Sequence, residues 1–191
     1  MPATLYYDLA SPYAYLAVAR AAGVLAQPPR LQPVLAGAIF AHRGWGSWAD
    51  TDARAANQAD IEARARRYGL PPIAWPPRWP ANSLSAMRAA VWAQAAHGAG
   101  AAFAHAAYRA AFAAGRDLAQ VTTLQDAAGA AGLPADELPQ AIADPAIKAA
   151  LRAATDAAIA LGVRGVPTLG LADGRLLFGD DRLEDAPGAR A

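Results

Sequence analysis

The chain has 191 residues, 55% of them hydrophobic and 17% charged, with a net charge of +1. That composition suits one large globular domain, or a domain carrying an insertion, and excludes a disordered chain. Nucleic acid is not an expected partner, because the densest basic group is only Arg54 with Arg64, Arg66 and Arg67, and the lack of any cysteine excludes disulfides, thiolate metal sites and redox work by a protein thiol.

Residues 3–9 read as a buried strand. Ser11-Pro12 then opens a helix over 12–22 that Gly23 can close. Proline is favoured at the first helical position, where the missing N–H costs nothing, and the residue before it is held out of the α region, as an N-cap must be. Ser11 therefore sits as N-cap, beside unpaired N–H groups and the positive end of the helix dipole, a position that stabilises an anion. Without a cysteine in the chain, a thiolate held there has to come from a ligand. By itself Ser11 reads first as an ordinary helix cap.

The run Arg30–Leu35 follows the turn Gln27-Pro28-Pro29, and strand, helix and strand at this spacing make a βαβ unit. From about residue 50 to 161 alanine dominates at helical spacing. Ile61, Ala65 and Tyr68 mark one helix that Gly69 can stop; Leu84, Met87 and Val91 mark another, and Phe103, Ala107 and Ala110 a third. Asp144-Pro145 supplies N-cap and first turn to a long helix whose apolar face is Ile147, Leu151, Ala154, Ala158 and Leu161, with Gly162 at its C-terminus. Trp92, Phe103, Tyr108 and Phe112 give this block the core material of a compact bundle. The proline-rich stretch 70–80 reads as an extended segment crossing the surface. Strand signals return in Thr168–Leu171 and Arg175–Phe178, joined by the turn Ala172-Asp173-Gly174.

The histidines His42, His97 and His105 lack close ligand spacing, so no metal is expected. The chain begins without a basic and apolar leader, and no stretch approaches the ~20 apolar residues of a membrane span. A cytoplasmic location and no membrane contact are the expectation.

Four pieces taken in order carry a resemblance that covers the whole chain. They are Tyr7-Asp8 followed by Ser11-Pro12-Tyr13; Asn82-Ser83-Leu84-Ser85-Ala86-Met87-Arg88; Gly162-Val163-Arg164-Gly165-Val166-Pro167-Thr168; and Leu177-Phe178-Gly179-Asp180-Asp181-Arg182-Leu183. Together they resemble the 2-hydroxychromene-2-carboxylate isomerases and the similar kappa-class glutathione transferases, within the DsbA-like branch of the thioredoxin superfamily. The resemblance implies an α/β, thioredoxin-like fold with an inserted all-helical domain: residues 1–39 and 156–191 as the two parts of the thioredoxin-like domain, and 40–155 as the insertion. It also implies a cis bond at Val166-Pro167, facing the start of the first helix.

For function, the resemblance implies a glutathione-dependent cis–trans isomerase of aromatic-compound catabolism. The alternatives are a kappa-like transferase, or a non-catalytic thiol- or partner-binding protein. The redox members carry a cysteine pair where this chain has Ser11-Pro12-Tyr13-Ala14, so dithiol chemistry is absent and Ser11 matches the family serine that binds the glutathione thiol. Val166 and Pro167 match the edge that pairs with its cysteinyl part, and Asp180 and Asp181 fall in the turn at its γ-glutamyl end, where Asp181 matches the acidic position and Asp180 replaces what is often a serine or glutamine; capping of a short helix is the competing role for both. An asparagine and a lysine common in the family after the second strand have no clear counterpart here. Arg54 is a candidate replacement for the lysine, and the cofactor is glutathione or another low-molecular-weight thiol. Tyr13, Trp45, Trp48 and Asn82 are candidate substrate contacts, with Trp79 a further candidate for an aromatic wall; for each tryptophan ordinary core burial is the competing role, and for Asn82 capping of the next helix. Asp8 reads as a buried hydrogen-bond anchor ahead of an acid/base group, and Arg88 as a salt-bridge partner. A homodimer acting on a small molecule is consistent with the resemblance.

Overall fold

The computed structural model describes residues 2–190. Strand β1 (Thr4–Tyr7) leads through a four-residue turn into helix α1 (Pro12–Val24), and β2 (Arg30–Pro33) returns parallel to β1, pairing Leu5 with Leu31. The hairpin β3 (Thr168–Gly170) and β4 (Leu176–Phe178) adds antiparallel to β1, pairing Leu5 with Leu169, so the sheet order is β2-β1-β3-β4. Both sequence-derived strand pairs are present. Helix α1 runs one residue past Gly23, since a glycine without a left-handed φ does not end a helix.

Between β2 and β3 the chain is helical: α2 (Ala36–His42), α3 (Arg54–Arg67), α4 (Leu84–His97), α5 (Gly100–Tyr108), α6 (Val121–Ala130), α7 (Leu138–Ala143) and α8 (Pro145–Ala160). A π-helical turn, Arg109–Ala113, follows α5 directly. Alanine packing lets these helices approach closely. Gly100 shows the same closeness, because an added Cβ would lie 2.9 Å from the Gln94 side chain. Asp144 caps α8 by accepting a hydrogen bond from the Ala146 N–H, and Gly162 follows it at φ 92°. The buried side of α8 is Leu151, Thr155 and Ala158; Leu161, expected on that side, is 65% exposed because the helix ends there and the chain turns away.

The proline-rich stretch contains no helix or strand, as expected, but it does not merely cross the surface. Trp79 is buried and Trp75 packs against it, with ring centroids 4.9 Å apart, and Trp79-Pro80 is cis. Two large rings offer more apolar area than the prolines take away, so the segment folds inward.

One consequence of this packing is that the turn between β1 and α1 is fastened from all sides. Leu9 N–H donates to Met87 Sδ on α4 at 3.1 Å, Tyr108 of α5 donates through its hydroxyl to the Asp8 carbonyl at 2.9 Å, and the Trp79 indole N–H donates to the Ala10 carbonyl at 2.9 Å. The Asp8 side chain is itself buried. It accepts from the N–H groups of Ala10 and Ala36 at 2.9 Å each and from the Ser83 hydroxyl at 3.1 Å. One carboxylate thus ties the turn to the start of α2 and the start of α4, the anchoring role expected for it.

Replacing Tyr108 by Phe removes one of these ties. The Asp8 carbonyl keeps its bond from Ser11 N–H, so it is not left bare, and the loss should be about 1 kcal/mol in urea unfolding; a loss above about 3 kcal/mol would mean the hydroxyl does more than this bond.

Burial pushes the Asp8 carboxyl above the usual carboxylate range, against the opposing pull of the Ala10, Ala36 and Ser83 hydrogen bonds. The folded chain then holds this proton to higher pH than the unfolded chain does. Asp8 therefore contributes stability that is fully present below its unfolded value and is lost as pH rises through its folded value. Urea midpoints measured across that window should fall with rising pH in the wild type, and Asp8→Asn should lack this falling limb.

Candidate functional site

Ser11 is the N-cap of α1 in extended conformation (φ −88°, ψ 114°), and its Oγ accepts from the Ala14 N–H at 3.2 Å. That bond uses the oxygen and leaves the hydroxyl hydrogen free to donate outward. Ser11 faces a cleft of about 520 Å³, the size of a small-molecule site. The same cleft is lined by Val166, whose bond to Pro167 is cis. Val166 is buried, yet among the described residues neither its N–H nor its carbonyl has a hydrogen-bond partner within the chain. A buried peptide edge with both groups unpaired is uncommon and suits pairing with a ligand amide.

The cleft walls come from distant parts of the chain. Tyr13 and Trp48 meet edge to face at 6.0 Å, and Trp48 and Trp79 lie 5.2 Å apart. Phe40 and Phe178 close the side next to Val166; a Cβ on Gly165 would lie 2.9 Å from Phe178 and 3.3 Å from Phe40, so a residue without a side chain lets these rings cover the peptide there. Asn82 lines the cleft and, one residue before the N-cap Ser83, accepts from the Leu84 N–H, the first of α4, through Oδ1 at 2.9 Å. Its amide Nδ2 has no partner within the chain among the described residues.

The single phenol hydrogen of Tyr13 is shared between Asn57 Oδ1 at 2.9 Å and Asp60 Oδ2 at 3.1 Å. Burial, with Asp60 adding to it, pushes this phenol up to about 12, so it stays protonated and is no general base near neutral pH. Asp60 borders a second, smaller hollow with Arg64, Arg67, Tyr68 and Asp181. There Arg64 meets Asp60 at 2.8 Å, Asp180 at 3.1 Å and Asp181 at 3.3 Å, and lies 5.7 Å over the Tyr13 ring. Burial works against its charge, but the three carboxylates outweigh it and raise its pKa further.

The two aspartates of the last turn differ in their surroundings. Asp180, expected as a ligand contact, is corrected to a structural role. It is 1% exposed, and its two oxygens are taken by Arg64 and by the Tyr68 hydroxyl at 3.1 Å. Burial raises its pKa despite those partners. Around it, Arg20 of α1 donates to the Asp180 carbonyl, pairs with Glu184 and stacks 3.5 Å over Tyr68. Asp181 stays half-exposed at the start of the short 3₁₀ helix Asp180–Asp185, facing the second hollow rather than the cleft beside Ser11.

The structure thus brings Ser11, Tyr13, Trp48, Asn82 and Val166 to one cleft. It does not bring Trp45, which is 50% exposed beside Arg43, because α2 ends in a turn that points it outward. Arg54 does not line the cleft either; it stands behind the aromatic wall and donates to the Trp79 carbonyl at 2.6 Å. Arg88 forms no salt bridge among the described residues, and its Nε is buried without a partner. Sequence reasoning did not include Phe40, Phe178 and Ser83 in the site. The glycine at 165 was the available signal for the two phenylalanines, but the side chains that fill its space come from two other elements.

A family model described as the DSBA-like thioredoxin domain matches residues 4–189. No curated protein matches the chain. Among solved structures, a 2-hydroxychromene-2-carboxylate isomerase superposes with TM-score 0.83 at 23% identity, covering 96% of this chain and 91% of its own. A probable DsbA oxidoreductase from Streptomyces coelicolor gives 0.73 at 22%, covering 97% and 87%. The cytosolic disulfide reductase DsbM from Pseudomonas aeruginosa, solved with GSH, gives 0.66 at 20%, covering 96% and 93%. At these identities the likeness is one of fold. With the family match running over nearly its whole length, the chain belongs to the DsbA-like thioredoxin domain family.

Proposed function

We propose that this protein is a thiol-dependent isomerase that binds glutathione or a similar small thiol in the cleft beside Ser11. The observation that carries the reading is the pairing of a free hydroxyl at a helix N-terminus with the unpaired Val166 peptide edge, in a chain without cysteine. A cysteine pair at this helix start would point to dithiol exchange; here only a bound thiol can supply a thiolate. Among the fold relatives, the reductase solved with GSH favours the same kind of ligand, and the isomerase the same kind of reaction.

When bound, the thiol would supply a nucleophilic sulfur for reversible addition to a conjugated carbon, the former double bond being free to rotate until the C–S pair leaves with sulfur and the pair placed on the substrate re-forms the alkene. The chain's own part is positioning and electrostatics. Ser11 donates a hydrogen bond to the sulfur, and the dipole of α1 favours its charged form. Val166 pairs through its main chain. Asp181 offers a charge for an ammonium group, and Arg67, bordering the same hollow, offers one for a carboxylate. The aromatic wall takes the acceptor and excludes water. A transferase differs only in the fate of the addition product, which leaves instead of eliminating; the same residues serve both.

In Ser11→Ala, stability should fall by ~1 kcal/mol, the cost of an N-cap, while thiol-dependent turnover should fall about 10²–10³-fold, the cost of a donor aimed at developing negative charge. Bound thiol should also titrate at higher pH, read from thiolate absorbance. Coincident titration curves with rates within a few fold would reduce Ser11 to a helix cap and end the proposal.

In Asp181→Asn, calorimetry should show glutathione binding weakened by about 1.5–3 kcal/mol, the loss of a charge-assisted hydrogen bond. Unchanged affinity would leave Asp181 as a partner of Arg64 only.

A further inference from the structure

Ser83 stands at the N-cap of α4, yet its hydroxyl does no capping there. A serine in that position ordinarily turns its oxygen to the helix N–H groups. Here Asn82 meets the Leu84 N–H, and Ser83 Oγ lies against Asp8 Oδ2 at 3.1 Å. Among the described residues nothing donates to Ser83 Oγ, and both Ser83 and Asp8 line the cleft that holds Ser11. Asp8 is 2% exposed, and Ser83 is its one side-chain partner. A buried acid thus reaches the cleft through a single hydroxyl.

This contact serves either protonation state of Asp8. As a carboxylate it accepts from the N–H groups of Ala10 and Ala36 and from the Ser83 hydroxyl. Once protonated, its own O–H can donate to Ser83 Oγ, and the Ser83 hydrogen is then released to the cleft. Burial favours the neutral form and the three donors favour the anion, so each state has partners. The other titratable groups facing Asp8 are the phenols of Tyr7 on β1 and Tyr108 on α5. Burial, with Asp8 adding to it, pushes both upward and keeps them neutral. Arg116 shares a small hollow with Ser83, but it is paired with Asp126 at 2.7 Å.

Resting on the thiol-dependent reading above, we infer that Ser83 is a further catalytic residue, donating its proton to the carbonyl oxygen of the conjugated acceptor while Asp8 replaces that proton from behind. As the C–S bond forms, the alkene pair shifts into conjugation and the carbonyl pair moves onto oxygen. That oxygen takes the Ser83 hydrogen, Ser83 Oγ takes the Asp8 hydrogen, and Asp8 remains as a carboxylate held by its three donors. Elimination returns each proton and each electron pair. Ser11 thus serves the sulfur and Ser83 the oxygen, at opposite ends of one conjugated system. Asp8 acts through Ser83 as a positioning residue and proton reserve.

The test compares wild type, Ser83→Ala, Ser83→Thr and Asp8→Asn. The probe is cis-benzylidenepyruvate, a conjugated ketone, isomerised with saturating glutathione across a range of pH. Ser83→Ala should lower kcat/KM about 10²-fold, within the span of a general acid, and Ser83→Thr should recover most of the loss. Glutathione affinity by calorimetry should stay near wild type in both. Wild-type kcat/KM should fall as pH rises through the folded Asp8 value, because only the protonated acid can supply the hydrogen. Ser83→Ala and Asp8→Asn should lack that limb. One readout needs no ligand: the infrared band of the protonated Asp8 carboxyl, identified by its absence in Asp8→Asn, should persist to higher pH in Ser83→Ala, since a donor to the carboxylate is lost.

A Ser83→Ala rate within about threefold of wild type is too small for an acid catalyst and overturns the inference. So does a falling limb that survives in Ser83→Ala or is missing from wild type, an infrared titration that does not move, or a loss of rate matched by a loss of glutathione affinity. Each of these leaves the thiol-dependent reading standing. If wild type neither binds glutathione nor isomerises the probe, that reading falls and the inference falls with it.

Discussion

The structure depends on the fastening of one short turn. Residues 8–11 connect the central strand to the helix whose N-terminus carries the site, and their polar backbone groups are met by side chains from three separate regions. Met87 of α4, Tyr108 of α5 and Trp79 of the proline-rich segment each take one. The Asp8 carboxylate then reaches outward to the starts of α2 and α4. A turn exposed at a helix start would otherwise be free to move, and a donor that moves cannot be aimed at a developing charge. The helical insertion is therefore part of the site's support, as well as its wall.

That arrangement explains why the two ends of the molecule can be separate in sequence and joined in chemistry. The first forty residues supply Ser11 and the helix dipole, and the last thirty supply the Val166 edge and the Asp180–Asp185 turn. Asp180 binds the latter to α3 through Arg64 and Tyr68, while Arg20 binds it to α1. Such a buried carboxylate is costly on its own and tolerable only with its partners in place. Its identity as a structural group, with Asp181 left half-exposed beside it, follows from a difference of one position along a tight 3₁₀ turn.

Polarity in the two neighbouring hollows is sharply divided. Around Arg64 the charges are dense, and three carboxylates compete for one guanidinium. Beside Ser11 the surface is aromatic with neutral donors. Tyr13 is the partition: its ring faces the cleft, and its hydroxyl is bound to Asn57 and Asp60 on the charged side. Charged ends of a thiol and an apolar acceptor can thus be sorted by environment instead of by close contacts alone.

Much of the frame was legible in the residues. The proline after Ser11, the Asp144-Pro145 start and the Asp173-Gly174 turn are local signals, because proline and glycine restrict or free the backbone wherever they stand. Short apolar runs and helical spacing then placed β1, β2, the hairpin and the main helices, and the ordered motifs marked Ser11 and Val166. What the sequence could not contain is the pairing of groups far apart along it. Leu9 with Met87, Asp8 with Tyr108 and Ala10 with Trp79 are separated by 78, 100 and 69 residues. Whether Trp79 lines a cleft while Trp45 meets solvent, or Asp180 is buried while Asp181 is not, depends on which surfaces other elements cover. The chain's local chemistry determined its elements and its helix-bound serine; the tertiary structure alone decided its walls and the division of its charges, because burial is a property of the assembled neighbours and not of the residue.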